Sequence, residues 1–411
     1  MKELSKNFSE NAVIIIGNGF DLAHNMPTSY RDFSRYLLNE KILTPLFQGK
    51  PSIEFFLQSF IDLHEGLRYS YHTMSAPRKD SSRYFVIKFY TKYDNRPELD
   101  LDDFQKDFKM DEVPFLNMLS NKFLGKLFSG NYTNWFDIEQ NYFVELQEIL
   151  ETYDGVDSED DIKESLEKLN EDLKELKTLL AEYLNRFSAS HKDEVQMFFE
   201  ENFDDKDIFR VINFNYTNTF DKLYKSKIKP RSLKVRSSYI HGKLNEKIIF
   251  GFGDDGNDSY RMMKDTGINE FLRCFKTFHY AQDSIYRLVL EEVKSYDDYE
   301  VYILGHSLGR TDKTFLAELL NSKKCLNIHL FKREDRLNDS EKEEDLWELH
   351  CNLSRILEKD TDFRNKIIPI KNSSHFPYVT GDNEIIASKN LEIYGVDDQL
   401  AQVAGIHRRT V

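Results

Sequence analysis

Four short polar clusters in this chain each follow an apolar run, and each has the residue types to handle a nucleotide. The first is Gly17-Asn18-Gly19-Phe20-Asp21, after the β-branched run 12–16. Two glycines there let the backbone approach a phosphate, whose charge free N–H groups or a following helix N-terminus accept. Leu22 fills the place of the third glycine of the usual dinucleotide fingerprint. The second cluster, Asn213-Phe214-Asn215-Tyr216-Thr217-Asn218, offers Asn215 as an amide for a ribose hydroxyl or a water, or alternatively a turn and N-cap for a helix starting near Thr219. The third, Tyr239-Ile240-His241-Gly242, presents His241, the side-chain type best able to take a proton near neutral pH. The fourth is Gly305-His306-Ser307-Leu308-Gly309, after the run 301–304.

Two chemistries compete at the fourth cluster. Gly305-x-Ser307-x-Gly309 has the form of a nucleophile elbow, for which Asp335, Asp339 or Asp360 would be the acid and His350 or His375 the base. No HGGG-type oxyanion segment accompanies it. In the other reading Ser307 and the nearby amides contact phosphate or ribose, at the location shared by Gly17, Asn215 and His241.

Strands buried on both faces must position these clusters, because an open parallel sheet collects ligands beyond the carboxyl ends of its strands. Strand patterns occur at 12–16, 208–213, 238–240, 248–252, 300–304, 326–331 and 367–370, and helical patterns at 270–295, 313–320 and 340–357. Their alternation predicts a doubly wound α/β fold. Residues from 29 to about 203 read as mostly helical, a large insertion after the first strand. Glu270, Arg273 and Lys276 fall on a helical pattern with Phe271, Cys274, Phe275 and Phe278, read as an amphipathic cover for the sheet; the charged run 332–336 reads as a solvated turn.

Composition narrows the function. With 32 Phe and 22 Tyr the chain has ample apolar area for a core. The net charge of −15 argues against a generic nucleic-acid binder, which needs excess Lys and Arg against phosphates. Three cysteines, Cys274, Cys325 and Cys351, provide neither a disulfide framework nor a four-thiolate zinc site, and the 11 histidines form no metal-ligand pattern, so no metal is expected. The first apolar run, of about six residues, is too short for a signal peptide or a membrane span, which leads to the expectation of a cytoplasmic protein without a membrane partner.

In order, Gly17-x-Gly19, Asn25-Met26-Pro27, Asn215, His241-Gly242 and Gly305-His306-Ser307-Leu308 resemble the G-A-G, G-I-P, N-I-D, H-G and G-T-S-L series of sirtuins. The strings GNGFDLAHNMPTSYRDF, NFNYTNTFD and YILGHSLGRTDKTFL look closer still to the bacterial phage abortive-infection AbiH family, whose members carry a sirtuin-like core. The resemblance implies a sirtuin-like Rossmann core over 10–33 and 205–371, a helical insertion over 34–204, and a tail, 372–411, on the core or in an assembly contact. It implies NAD+ as substrate: the turn of Gly17, Asn18, Gly19 and Phe20 would hold its pyrophosphate side and Asn215 would steady a water by the nicotinamide ribose. His241 would be the base, and Gly305 and Ser307 would line the adenosine half, with Asp21, Pro27, Gly242 and His306 in the binding set.

Two departures matter. Thr217 stands where the sirtuin motif has an aspartate, and the four-cysteine zinc element of deacetylating sirtuins is missing between His241 and Gly305, where only Cys274 occurs. The expected activity is therefore NAD+ glycohydrolysis in defence against phage rather than peptide deacetylation, with a homo-oligomer and a phage-derived trigger or partner defence protein implied. A nucleotide-sensing assembly module without catalysis is the alternative.

Overall fold

The computed structural model describes residues 9–37, 40–41, 121–127, 135–153, 158–203, 206–228, 235–254, 256–333, 339–369 and 375–377. The chain divides into two compact units, one of Met1–Ser29 with Asn134–Thr380 and one of Tyr30–Thr133 with Gly381–Val411. In the second unit the described helices are α2 (Tyr30–Tyr36) and α3 (Lys122–Leu127). The whole of segment 42–120, and the tail apart from residues 375–377, lie outside the described residues.

The first unit is built on five parallel strands, β1 (Asn11–Ile16), β2 (Ile208–Asn213), β3 (Val235–Tyr239), β4 (Tyr299–Leu304) and β5 (Cys325–Leu330), in the order β3-β2-β1-β4-β5. The chain builds outward from β1 to β3 on one side and then crosses to β4 on the other, as in a doubly wound α/β sheet. Alternate residues of β1 explain its central place. Val13 and Ile15 face a cluster with α10 (Ser284–Ser295), α11 (Lys313–Leu320) and α12 (Asp339–Ile356). Ala12, Ile14 and Ile16 face the aromatic layer of α6 (Asp193–Phe203) and α7 (Thr219–Leu223). A strand buried on both faces needs this unbroken β-branched run.

The remaining helices of this unit are α1 (Asn18–Leu22), α4 (Trp135–Tyr153), α5 (Glu159–Leu184), α8 (Asp258–Asp265), α9 (Lys276–Gln282) and α13 (Asp360–Lys366). The acidic first turn of α5 has a local purpose: the Ser158 hydroxyl accepts from the Asp161 N–H at 3.2 Å, and the Asp161 carboxylate accepts from the Ser158 N–H at 3.3 Å, closing a capping box. Among the described residues no helix is long and apolar enough to cross a membrane.

Two strand expectations are corrected. Residues 248–252 form no ladder; the Ile249 N–H donates to the His241 carbonyl at 2.8 Å, folding the segment back, and Phe252 meets Phe275 in one isolated bridge. Ile367 likewise makes a single bridge, to Ile328, and residue 370 lies outside the described residues. The pattern at 270–295 is three elements, a 3-10 turn at Asn269–Leu272, then α9 and α10. Asp283 parts the last two by capping the Ile285 N–H at 2.8 Å.

Candidate functional site

The carboxyl ends of β1 and β4 meet where the strand order reverses. Gly17 donates its N–H to the Leu304 carbonyl at 3.0 Å and Gly19 donates to the Gly305 carbonyl at 2.8 Å. A Cβ on Gly19 would lie 2.7 Å from Gly305 Cα, and one on Gly305, at φ +68°, 2.5 Å from Gly19 C and Phe20 N. The two turns thus clasp backbone to backbone, and only glycine fits. Both expected phosphate-facing glycine N–H groups serve this clasp. Phe20, from the same turn, is wholly buried among Phe199, Phe220, Tyr224 and Phe376. Asn18 opens α1, and the Pro27 carbonyl accepts the Tyr183 hydroxyl at 2.7 Å.

Beyond β2 the Asn213 side chain accepts the Asn215 N–H at 2.8 Å, which turns the Asn215 amide onto the Gly17 carbonyl at 3.0 Å. Asn215 is therefore buried and fixed to the first turn. The Thr217 hydroxyl donates to Asp21 Oδ2 at 2.6 Å, and Thr219 donates to Thr217 at 3.3 Å. Asp21 Oδ1 is buried without a hydrogen-bond partner. Burial raises the Asp21 carboxyl to about 6, against the pull of the Thr217 and Thr219 hydroxyls.

The raised carboxyl has a consequence for stability. Because the folded value exceeds the ordinary 3.8, ionised Asp21 costs stability progressively as pH rises from 3.8 through 6, and costs nothing below that window. Asp21→Asn is expected to stabilise the chain at pH 7 by about 2 kcal/mol: each pH unit by which a carboxyl is raised carries ~1.4 kcal/mol, from which the penalty of an unpartnered amide nitrogen is subtracted. Urea unfolding at pH 7 and pH 3.5 checks it; an equal gain at both would assign the effect to packing instead.

The third and fourth clusters converge on a carboxylate. His241 Nε2 stands 2.9 Å from Asp312 Oδ1, an ion-pair separation off the line of a hydrogen bond, and His306 Nε2 stands 3.4 Å from Asp312 Oδ2. Asp312 ends the turn Arg310–Asp312 at the head of α11. Its Oδ1 also accepts from Lys276 Nζ at 2.7 Å; Lys276 in turn donates to Glu139 Oε2 at 2.9 Å, and Glu139 Oε1 accepts the Gly251 N–H at 3.0 Å. The Phe214 ring lies edge-on between the two imidazoles, 5.1 Å from His241 and 4.4 Å from His306. Gly242 follows at φ +78°, in the left-handed turn that aims His241 inward.

His306 has a fixed orientation. Its Nδ1 accepts the Leu308 N–H at 2.9 Å, with Leu308 itself left-handed at φ 56°, so the proton of the neutral ring sits on Nε2, toward Asp312. Burial lowers the basicity of His241 and the Lys276 ammonium lowers it further, partly opposed by Asp312, so the ring is uncharged at neutral pH. Burial would raise the Asp312 carboxyl, but Lys276 and the imidazoles outweigh it and hold the group well below the usual carboxylate range. For Lys276 the two carboxylates outweigh burial and keep it charged.

Glu139, Lys276 and Asp312 were not among the site residues expected from sequence. Lys276 is fully buried rather than on a solvated helix face, because the break after Leu272 restarts the helix at Lys276 and turns its first residue inward. The usable signal was Asp312 in the same glycine turn as His306. Ser307 is exposed, and among the described hydrogen bonds it contributes only its carbonyl, to Asn352 at 3.0 Å. Of the partners expected for a serine elbow, Asp335 and the side chains of Asp339 and His375 lie outside the described residues. Asp360 is exposed, and His350 Nδ1 turns to its own helix at the Leu346 carbonyl. Among the described residues no group of three or more His, Cys, Asp and Glu is arranged to hold a metal ion.

A family model described as bacteriophage abortive infection AbiH matches residues 13–332, spanning β1 to β6 (Lys332–Arg333). No curated protein matches the chain.

Proposed function

Because the chain belongs to the bacteriophage abortive infection family AbiH, we propose that it serves phage defence as a sirtuin-like NAD+ glycohydrolase, releasing nicotinamide and ADP-ribose. One observation carries this: an uncharged, buried His241 beside an ionised Asp312, at the sheet edge that also holds the Asn215 amide. In the reaction a water oxygen bonds to the ribose C1′, the C1′–N electron pair departs with neutral nicotinamide, and the proton of the water passes to His241. The transition state is oxocarbenium-like, so the protein's part is to place the water and stabilise developing positive charge. An enzyme that consumes NAD+ needs restraint, which a homo-oligomer and a phage-derived trigger or partner defence protein would supply.

A second reading, nucleotide sensing without turnover, is favoured by the Asn215 amide already engaged with the Gly17 carbonyl instead of a water. Incubation of the purified protein with NAD+, with and without phage lysate, separates the two. Nicotinamide release lost in both His241→Ala and Asn215→Ala is the expected result. Release that persists in both variants overturns the assignment, and NAD+ binding without release in any condition selects the sensor.

A further inference from the structure

We propose that Asp312 is the positioning residue of the site, and that the Lys276–Glu139 pair behind it leaves the cluster one positive charge short, so that the proton released in catalysis is taken up at His241. This rests on the reading above that His241 is the base.

The geometry gives Asp312 no other task. Both of its oxygens are committed inside the protein, Oδ1 to Lys276 at 2.7 Å and His241 at 2.9 Å, and Oδ2 to His306 at 3.4 Å. It contacts both rings and joins three segments: the turns after β3 and β4, and α9. The buried groups are two carboxylates, Glu139 and Asp312, and one ammonium, Lys276, a formal charge of −1 before either histidine is protonated. The other titratable groups near the carboxylates, the Tyr216 and Tyr280 phenols, are neutral: burial raises both well above the usual range, and Asp312 and Glu139 raise them further. Arg310 and Lys313, next along the chain, pair with Asp254 instead, at 3.4 and 3.7 Å.

A purely structural cluster gains nothing from an unbalanced buried charge, which is costly to desolvate. One proton delivered to an imidazole cancels it. His306 is a poor recipient, with Nδ1 already accepting from Leu308 and Nε2 turned to Asp312. His241, with Nε2 on the Asp312 side, is left to accept at Nδ1, and its imidazolium then lies 2.9 Å from the carboxylate. Lys276 sets the level of this trap: it keeps Asp312 ionised and His241 unprotonated until the proton arrives.

The test uses the full chain in two arms: pH profiles of kcat and KM for nicotinamide release, and the titration midpoint of His241 from NMR of 13Cε1-labelled histidine, assigned with His241→Ala. Asp312→Asn is expected to lower kcat roughly 10^2- to 10^4-fold with KM changed less than about 3-fold, and Asp312→Glu to recover part of the loss. Lys276→Met, which removes the cation, is expected to raise the His241 midpoint and carry the acid limb of kcat/KM upward by about one pH unit; Asp312→Asn lowers the midpoint. Lys276→Met with Glu139→Gln removes the pair together and is expected to move the midpoint less than Lys276→Met alone.

A folded Asp312→Asn with unchanged kcat, or a His241 midpoint indifferent to Lys276→Met, overturns the proposal. Should Asp312→Asn fail to fold, Asp312→Glu and the double variant decide in the same way. If the wild-type chain releases no nicotinamide, the glycohydrolase reading falls by itself. The NMR arm then decides the charge network, midpoints moving as stated supporting it and fixed midpoints overturning it.

Discussion

Gly305→Ala is expected to cost about 3–5 kcal/mol of folding stability and to abolish ligand chemistry at the site. Three physical contributions add: an alanine at a left-handed φ costs about 1 kcal/mol, overpacking against backbone costs about 1–3, and a strained Gly19 to Gly305 hydrogen bond forfeits about 1. The neighbours a Cβ would meet are backbone atoms of Gly19 and Phe20 at 2.5 Å, and those have no rotamer through which to yield. Gly267 supplies an internal control, since it also has a positive φ, +76°, but open space where its Cβ would stand. Gly267→Ala should therefore lose only the conformational part, about 1 kcal/mol. Chemical denaturation of the two variants checks this, and equal losses would show that conformational strain, not the clasp, governs Gly305.

Replacing Glu300 by Gln should remove about 3 kcal/mol at neutral pH, the figure that ~1.4 kcal/mol for each pH unit of carboxyl depression gives. Glu300 is a wholly buried carboxylate in the middle sheet layer and receives three donors: Lys206 Nζ at 3.0 Å and the Tyr302 hydroxyl at 2.8 Å on Oε2, and Asn327 Nδ2 at 2.6 Å on Oε1. His329 Nε2 stands at 3.5 Å from Oε1. An amide NH2 in place of Oε2 meets the Lys206 ammonium, and in place of Oε1 the Asn327 NH2, donor against donor, so at least one group is orphaned. Burial alone would raise this carboxyl; the His329 and Asn327 contacts and the Lys206 charge hold it instead at about 2, below the ordinary 4.5.

The sign follows from that depression: the carboxylate contributes its full stability above pH 4.5 and loses it as pH falls through 2. Unfolding free energy of the wild type should fall between pH 4.5 and pH 2 faster than that of Glu300→Gln, and the two curves should approach each other at the acid end. Parallel curves would show that Glu300 is not the group that titrates.

The strands and turns that build the site were legible because their signals are local. The unbroken run 12–16 before Gly17 and the run before Gly305 each end on a glycine, a strand-to-turn signal readable in the residues alone, and the structure brings both to one edge, where a backbone clasp that the sequence did not show requires them. Segment 248–252 misled because its apolar residues pack under the Gly242 turn without ladder partners, and hydrophobicity does not distinguish burial in a loop from burial in a sheet. The charge network was illegible for a different reason. Glu139, Lys276 and Asp312 come from a distant helix, a helix start and a turn, and no spacing relates them; their partnership exists only after the sheet has closed. Lys276 in particular looks like surface until its three bonds are drawn. The role of Asp21 was half visible, since its place in the turn could be read while the Thr217 hydroxyl that meets it lies across the strand order.

The position of β1 also bears on how the protein is made. Its hydrogen-bonding partners on both sides, β2 and β4, are encoded far downstream, the nearer beginning at Ile208. During synthesis at about 5–20 residues per second, β1 emerges roughly 10–40 s before β2 exists to pair with it. For that interval five consecutive apolar residues, 12–16, present unpaired edges and the composition of an aggregation-prone segment. Yield in a translating cell is thus set by whatever shields the nascent N-terminal strand during the wait, and slowing translation between β1 and β2 should lengthen that exposure rather than help the chain fold.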